Sequence, residues 1–334
     1  MELTDLKSIK ARSIKEVFYA IAAKDKTTRA EIAKATSLSL MTVGKIADAL
    51  ARIKITTEEK EPTNTVGRRA STIRIAPVYY GIVLDLSDEI YTCEIVDAGA
   101  NVLDRFSYVY DQKFYKEENL ILFYKNLALY LSERHDPDKC MGIGILLSNS
   151  RPSPDAGFDF SIAESEAVEQ AAKGALIQYC TRIHLHSQTE AAAIYTAKST
   201  PESEQKILLY CHIGKEITSA LVVRGEIATG LHGPAGNIRY LSKSAEENVS
   251  EEEAVTARRI EHTVRQAQGF MDPHLTVMEI GRSQRSLAAH LERAFANESQ
   301  HPTVICTEGL HHSHSGVVLR MREEWISSII SREI

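Results

Sequence analysis

The sequence predicts a mixed α/β protein in which a small basic head, residues 1–75, precedes a larger acidic body, residues 76–334. The chain has 334 residues, which is more than one ordinary domain contains. The head carries nine lysines and six arginines against nine acidic residues, a formal charge of +6, whereas the body carries −12. Within the body, a series of strands followed by helices occurs twice, which predicts a duplicated fold.

Three helices are predicted in the head. Apolar residues recur at helical spacing from Ser8 to Ala23. A capping box predicts the start of a short second helix, Arg29–Ala35. After a tight turn, Ser39 is positioned to cap a longer third helix, Leu40–Ile53. This order is typical of a helix-turn-helix, whose last helix places its N-terminal face in a DNA major groove.

A hairpin is predicted after the third helix. Lys54–Glu61 and Ser71–Ile75 are predicted strands, and Gly67-Arg68-Arg69 lies in the segment that joins them. Glycine allows the backbone to approach DNA, and adjacent guanidinium groups favour a narrow minor groove. The head is therefore predicted to be a winged helix-turn-helix that binds a double-stranded operator, the alternative being a three-helix domain that binds protein.

On this interpretation, small polar and basic side chains of the third helix contact the duplex. Thr42 can reach a phosphate or a thymine methyl group, and Lys45 can pair with a phosphate or a guanine edge. The residues predicted to contact DNA are Arg29, Ser39, Met41, Thr42, Lys45, Gly67, Arg68 and Arg69.

The sequence of the body predicts two successive units, each with a hairpin followed by alternating helices and strands. The first unit has predicted strands at Tyr80–Leu84, Glu89–Val96, Asn101–Val109, Cys140–Leu147 and Arg182–His186, and helices at Glu117–Arg134 and Ser165–Tyr179. The second has strands at Lys206–Tyr210, Ser219–Val223, Glu226–Thr229, Leu275–Ile280 and Val304–Cys306, and helices at Thr189–Lys198, Glu251–Gln268, Ser286–Ala296 and Gly316–Ser331. This pattern predicts an actin-like (ribonuclease H-like) body with two lobes, residues 76–186 plus the last helix, and residues 187–315.

Several function classes are disfavoured by composition. The five cysteines are odd in number, widely spaced and never form a CxxC pair, which argues against a disulfide framework or a zinc site. The histidine-rich segment 311–314 is interpreted as a polar turn, because three histidines so close together cannot easily converge on one ion. No metal, cofactor or membrane span is expected. The expected location is the reducing cytoplasm.

The order of elements and several local strings resemble the ROK family (repressors, open reading frames, kinases) over about residues 8–332. The strings are Gly81–Asp85, Gly142–Leu147, His184–Ala193, Leu208–Gly230 and Gly233–Leu241. The resemblance implies a winged helix-turn-helix fused to a sugar-kinase fold, which in ROK regulators commonly responds to sugars or their derivatives.

This chain departs from the family at each string that carries kinase chemistry. Gln188 stands where the resemblance implies the general base, and an amide cannot accept a proton from a sugar hydroxyl. The two phosphate loops, at 85–88 and 214–218, lack most of their glycines, and no zinc-binding cysteines follow Tyr240 before Cys306. The resemblance implies an effector site formed by Ser187, Gln188, Glu190, His232, Asn237 and Tyr240.

Three classes of function therefore compete. The first is a DNA-binding repressor, dimeric or tetrameric, whose catalytically inactive body binds a sugar-like effector. The second is a DNA-binding protein whose body only forms homodimers or tetramers. The third is an active sugar kinase with an added head. The lost chemical groups favour a non-enzymatic regulator.

Overall fold

A computed structural model describes residues 3–60, 71–87, 90–109, 116–147, 159–201, 205–214, 217–230, 233–238, 253–296, 300–307 and 312–333. None of the helices in these ranges combines the length and the apolar character that a membrane span requires.

The head contains the three predicted helices, α1 (Leu3–Ala22), α2 (Arg29–Thr36) and α3 (Leu40–Arg52). The predicted capping box is present at α2: the backbone N–H of Glu31 donates to Thr28 Oγ1 at 3.2 Å, and the Glu31 carboxylate accepts from the Thr28 N–H at 2.9 Å. Such reciprocal bonds satisfy two of the donors that a helix start leaves unpaired, so the local sequence is sufficient to begin this helix.

Two antiparallel strands complete the described part of the head, β1 (Thr56–Lys60) and β2 (Ser71–Ile75). An isolated bridge between Thr27 and Ile73 ties β2 to the start of α2. Residues 61–70, which include the predicted DNA contacts Gly67, Arg68 and Arg69, lie outside the described residues.

The first sheet of the body has the strand order β5-β4-β3-β6-β7. Its strands are β3 (Tyr80–Asp85), β4 (Ile90–Asp97), β5 (Val102–Val109), β6 (Cys140–Leu147) and β7 (Ile183–Ser187). The first three pair antiparallel, and β3, β6 and β7 pair parallel. Helices α4 (Lys116–Arg134) and α5 (Asp159–Leu176) bury their apolar side chains in one cluster with this sheet.

The second sheet repeats this topology in the order β10-β9-β8-β13-β14. Its elements follow α6 (Gln188–Ser199) and are β8 (Ile207–Ile213), β9 (Ile217–Val223), β10 (Glu226–Ile227), α7 (Glu253–Met271), β13 (Leu275–Ile280), α8 (Ala288–Phe295) and β14 (Thr303–Cys306). Again an antiparallel meander is continued by two parallel strands. The predicted duplicated, actin-like architecture of the body is confirmed.

Three sequence predictions are corrected. The predicted strand Glu226–Thr229 is split, because β10 ends at Ile227 and β11 (Thr229–Gly230) pairs instead with β12 (Gly233–Pro234). The predicted helix Ser286–Ala296 begins as a 3-10 helix, Arg282–Leu287, before it becomes α8. The last helix, α9 (Ser313–Glu333), begins before Gly316, so His314 lies in its first turn and not in a preceding loop.

Helix α9 connects the body with the head. Near its middle, Arg322 is only 7% exposed, its guanidinium donates to the Ala98 carbonyl at 3.1 Å, and it lies over the rings of Phe18 and Tyr19. One turn later, Trp325 packs edge-on to Phe18, with ring centroids 6.2 Å apart. Helix α1 and helix α9 therefore share one apolar core.

Candidate nucleic-acid interface and polar cleft

The N-terminal face of α3 is exposed in the part of the head that the structure describes. Met41 is 72% exposed, and Lys45 is exposed one turn further along the helix. Ser39 caps the helix: its Oγ accepts from the Thr42 N–H at 3.1 Å and lies 2.9 Å from the Thr42 Oγ1. Thus Ser39 and Thr42 form a bonded pair at the helix start, beside the exposed Met41 and Lys45.

Arg29 holds this helix in place. Its guanidinium donates to Asp48 of α3 at 2.7 Å and to Glu58 of β1 at 2.8 Å. The bond to Glu58 is the main reason why the pKa of Arg29 is raised. The predicted contact of Arg29 with DNA stays a prediction, and the structure shows that Arg29 also joins α2 to α3 and β1.

Positive charge on the head is unevenly compensated. Lys24 pairs with Glu31, whereas Lys26 and Arg74 both pair with Glu59. Lys45 forms no ion pair with any residue that the structure describes. Lys45 is therefore available to an external anion at the face that Met41 and Thr42 also line.

Two of the predicted effector residues are engaged in local structure. Ser187 caps α6, since its Oγ accepts from the Glu190 N–H at 3.2 Å, and the Glu190 carboxylate accepts from the Ser187 N–H at 3.0 Å. These bonds form a second capping box at the carboxyl end of β7. The capping box formed by Ser187 and Glu190 thus places Gln188, the first residue of α6, at the carboxyl end of β7.

Gln188 reaches from α6 to the carboxyl end of β3. Its Nε2 donates to Ser87 Oγ at 2.8 Å, and the Ser87 N–H donates to Asp85 Oδ1 at 3.0 Å. The Ser87 hydroxyl also hydrogen-bonds to Asp85. Gln188, which stands where the resemblance implies the general base of a kinase, is therefore joined by hydrogen bonds to the first predicted phosphate loop.

His314 adds a cationic bridge to this network. Its Nε2 lies 3.1 Å from Asp85 Oδ2, and its Nδ1 lies 2.9 Å from Glu94 Oε2. Both ring nitrogens donate only when the imidazole is protonated. Burial of His314 opposes the charged form, but the bonds to Asp85 and Glu94 outweigh it, and the pKa of His314 is raised.

Each described carboxylate of the network already has partners. Burial of Asp85 disfavours its charge, but bonds from His314 and Ser87 prevail, and the pKa of Asp85 is lowered. Glu94 accepts from His314 and, at 3.0 Å, from Arg105 Nε. A carboxylate with a lowered pKa is a weaker general base. The described network can therefore bind polar groups through the side chains of Gln188, Asp85 and His314.

Replacing His314 with glutamine is expected to lower the free energy of unfolding by about 1–3 kcal/mol, because a charged donor to two partly buried carboxylates is lost. The folded-state pKa of His314 lies above its unfolded value, so its stabilisation is complete below about pH 6.5 and is lost as pH rises through the folded pKa. The pKa of Asp85 is lowered in the folded state, so the contribution of Asp85 to the free energy of unfolding is present above about pH 3.9. Urea unfolding of both proteins at several pH values measures the difference.

The difference between wild type and His314→Gln should therefore be largest at about pH 4–6.5 and shrink in alkaline solution. His290→Gln is the control, since His290 contacts Arg293 and no described carboxylate. A difference for His314→Gln that stays constant or grows between pH 6 and pH 9 would contradict the proposed protonation.

Of the three remaining predicted effector residues, Asn237 lies within the part of the chain that the structure describes. Asn237 is exposed and follows Gly236, whose carbonyl accepts a bond of 2.6 Å from Ser219. His232 and Tyr240 lie outside the described residues. Within the described part of the chain, no three histidine, cysteine or acidic side chains are grouped as a metal ion requires. Gln188 was singled out from the sequence, whereas His314 was not, because its partners Asp85 and Glu94 are more than 200 residues away.

Comparison with solved structures identifies the fold. A ROK family transcriptional regulator, described as a homolog of the E. coli MLC protein, aligns over 97% of this chain and 98% of its own, with 14% identity and a TM-score of 0.61. A ROK family protein from Streptococcus pneumoniae, in complex with sucrose, aligns over 73% of this chain and 98% of its own, with 15% identity and a TM-score of 0.54. By sequence, the chain matches no protein-family model and no curated protein. The resemblance to the ROK family is thus confirmed at the level of the fold.

Proposed function

We propose that the protein is a transcriptional regulator, a repressor, whose winged helix-turn-helix head binds duplex DNA through α3 and the β1–β2 hairpin. The observation that carries the proposal is the exposed N-terminal face of α3, where Met41 and Lys45 project and Lys45 has no described acidic partner. Arg29 fixes this helix to its neighbours, as base reading requires. The head's formal charge of +6 favours a polyanionic partner.

The structural comparisons support a head of this kind. The regulator aligns over 97% of this chain, whereas the sucrose-bound protein aligns over 73%. The first alignment is long enough to include residues 1–75, which we propose as the DNA-binding domain, with residues 76–334 as the ROK-like domain. A protein described as a transcriptional regulator therefore aligns with this chain over a length that takes in most of the head, which supports the proposal.

We further propose that the body is not a working kinase. Gln188 cannot remove a proton from a sugar hydroxyl, and its amide is bonded to Ser87. Asp85, the nearest carboxylate in this network, is bonded to Ser87 and His314 and has a lowered pKa. Phosphoryl transfer to an alcohol depends on a positioned nucleophile and a general base. The body would then serve to assemble homodimers or tetramers and to sense a ligand.

A sugar or sugar derivative is the effector class that we propose for the polar network around Gln188. The sucrose complex of a protein with this fold supports a carbohydrate. Gln188 and Asn237 offer amide groups that can both donate and accept hydrogen bonds with hydroxyls. Such a ligand would alter DNA binding only if it favoured one arrangement of the two heads of a dimer.

Selection from a pool of random duplexes by the full-length protein tests the proposal. We expect enrichment of a two-fold symmetric site whose half-sites lie about one helical turn apart, about 34 Å. Affinity for that site should fall about 100-fold between 50 and 200 mM salt, as about four phosphate contacts require. No enrichment and no salt-dependent affinity would refute DNA binding, and ATP turnover with any hexose would support the kinase instead.

A further inference from the structure

A cavity of about 420 Å³ lies where the head, the body and α9 meet. Its walls include the end of α3 and the following turn, the start of β6, the residue before β7, and the last turns of α9. Pockets that hold small molecules in proteins have volumes of about 300–1,000 Å³. The cavity is thus large enough for a small metabolite.

The cavity is strongly basic. Its cationic side chains are Arg52, Lys54, Lys139, Arg182 and Arg332, and Asp138 is the one acidic residue among those that line it. In the described ranges none of the five cations forms an ion pair. Like charges placed around one cavity repel each other, and a bound anion relieves that repulsion.

Two of these cations, Arg182 and Lys139, are held by neutral contacts. Arg182 donates to the carbonyl of Met141 at 2.8 Å and to that of Cys140 at 3.3 Å. Lys139 lies over the ring of Tyr79, with its Nζ 5.4 Å from the centroid. The Tyr79 hydroxyl donates to the Ile53 carbonyl of the head at 3.2 Å. These contacts orient Arg182 and Lys139 without neutralising their charge.

Aromatic rings form one wall of the cavity. Tyr79 and Trp325 have ring centroids 5.0 Å apart and both line it. Aromatic rings and cationic groups that line one cavity suit a ligand that joins an anionic group to a carbon skeleton. Among small anions, a phosphate ester best satisfies several separate cations, because its oxygens accept several charge-assisted hydrogen bonds.

The cavity is separate from both surfaces described above. Cys140 begins β6 and Arg182 precedes β7, so the cavity lies at the amino ends of these parallel strands, whereas Gln188 lies past their carboxyl ends. At about 3.3 Å per residue, the eight residues of β6 separate the two ends by about 25 Å. Likewise, Arg52 ends α3, which places it about 15 Å along the helix from Thr42.

We propose that this cavity is a second ligand site, which binds a small phosphate ester between the head and the body. Arg52 and Lys54 would contact the ligand from the head, and Lys139, Arg182 and Arg332 from the body. A ligand held from both sides fixes the orientation of the head relative to the body. The existence of the site does not depend on DNA binding, although a regulatory effect through this site rests on the proposed function.

Calorimetric titration of the full-length protein with inorganic phosphate, glucose 6-phosphate and glucose tests the site. Trp325 is the only tryptophan in the chain and lines the cavity, so its fluorescence provides a second readout. The test variant is Lys139→Gln/Arg332→Gln. Its control is Lys125→Gln/Arg258→Gln, which removes the same charge from two exposed residues that do not line the cavity.

We expect glucose 6-phosphate and phosphate to bind, to change the Trp325 fluorescence, and to bind more weakly as salt is added. The test variant should lose at least about tenfold in affinity for both anions, and the control less than about twofold. Failure of both anions to bind the wild type, or equal losses in both variants, would overturn the proposal. So would unchanged anion affinity combined with weaker DNA binding in the test variant alone, because those cations would then contact DNA phosphates. If the wild type does not bind DNA but the titrations give the expected results, only the proposed function is refuted.

Discussion

Replacing Trp325 with alanine is expected to lower the free energy of unfolding by about 3–5 kcal/mol, the range for deletion of a large aromatic side chain from a core. Trp325 is 3% exposed and lies between the head and the body. Its ring contacts Phe18 of α1 on one side and Tyr79, immediately before β3, on the other. The resulting cavity would remove contacts from both parts of the chain, which limits how far either could relax.

Urea unfolding followed by far-ultraviolet circular dichroism measures this loss, because the variant has no tryptophan to fluoresce. Trp325→Phe is the matched variant, since it keeps an aromatic ring in the core and should lose less than half as much stability. A loss below about 1 kcal/mol in Trp325→Ala would show that the head does not depend on this contact.

A comparable loss, about 3 kcal/mol, is expected for Gly316→Ala in α9. A Cβ at Gly316 would overlap the backbone carbonyl of Ala191 in α6. Because the obstacle is backbone of a buried helix, it cannot move aside as a flexible side chain would. The two helices would have to separate, and α9 would lose its packing against β6 as well.

Gly174 and Gly269 offer matched controls, since both are helical and an added Cβ would meet nothing within 4 Å. Alanine at either position should stabilise the protein by about 0.5–1 kcal/mol, because alanine loses less backbone entropy than glycine on forming a helix. Thermal unfolding of the three variants distinguishes the effects. A Gly316→Ala variant as stable as these controls would contradict the close contact of α6 and α9.

Most elements were predictable because their signals are local. The start of α2 is encoded by Thr28 and Glu31, three residues apart, and the start of α3 by Ser39. Continuous apolar segments predicted the buried parallel strands, such as Cys140–Leu147, whose bounds are those observed. The shorter strands β11 and β12 were missed, since two-residue segments have no periodicity to detect.

Contacts between distant segments could not be predicted in this way. His314 meets Asp85 and Glu94 across 229 and 220 residues, and nothing in its neighbourhood distinguishes it from a histidine in a polar turn. Arg29 was predicted to contact DNA, and its pairing with Asp48 and Glu58, 19 and 29 residues away, could not be predicted from the sequence. The basic cavity is likewise formed by segments that meet only in the folded chain.

The central claim is that α3 reads DNA through its N-terminal face, and the affinity of a Thr42→Ala/Lys45→Ala variant for the selected duplex tests it most directly. We expect binding about 10- to 100-fold weaker than wild type, as loss of base and phosphate contacts implies. Lys125→Ala, on the exposed surface of α4, is the control and should bind as wild type does. Equal affinity of the double variant and the wild type would contradict the claim.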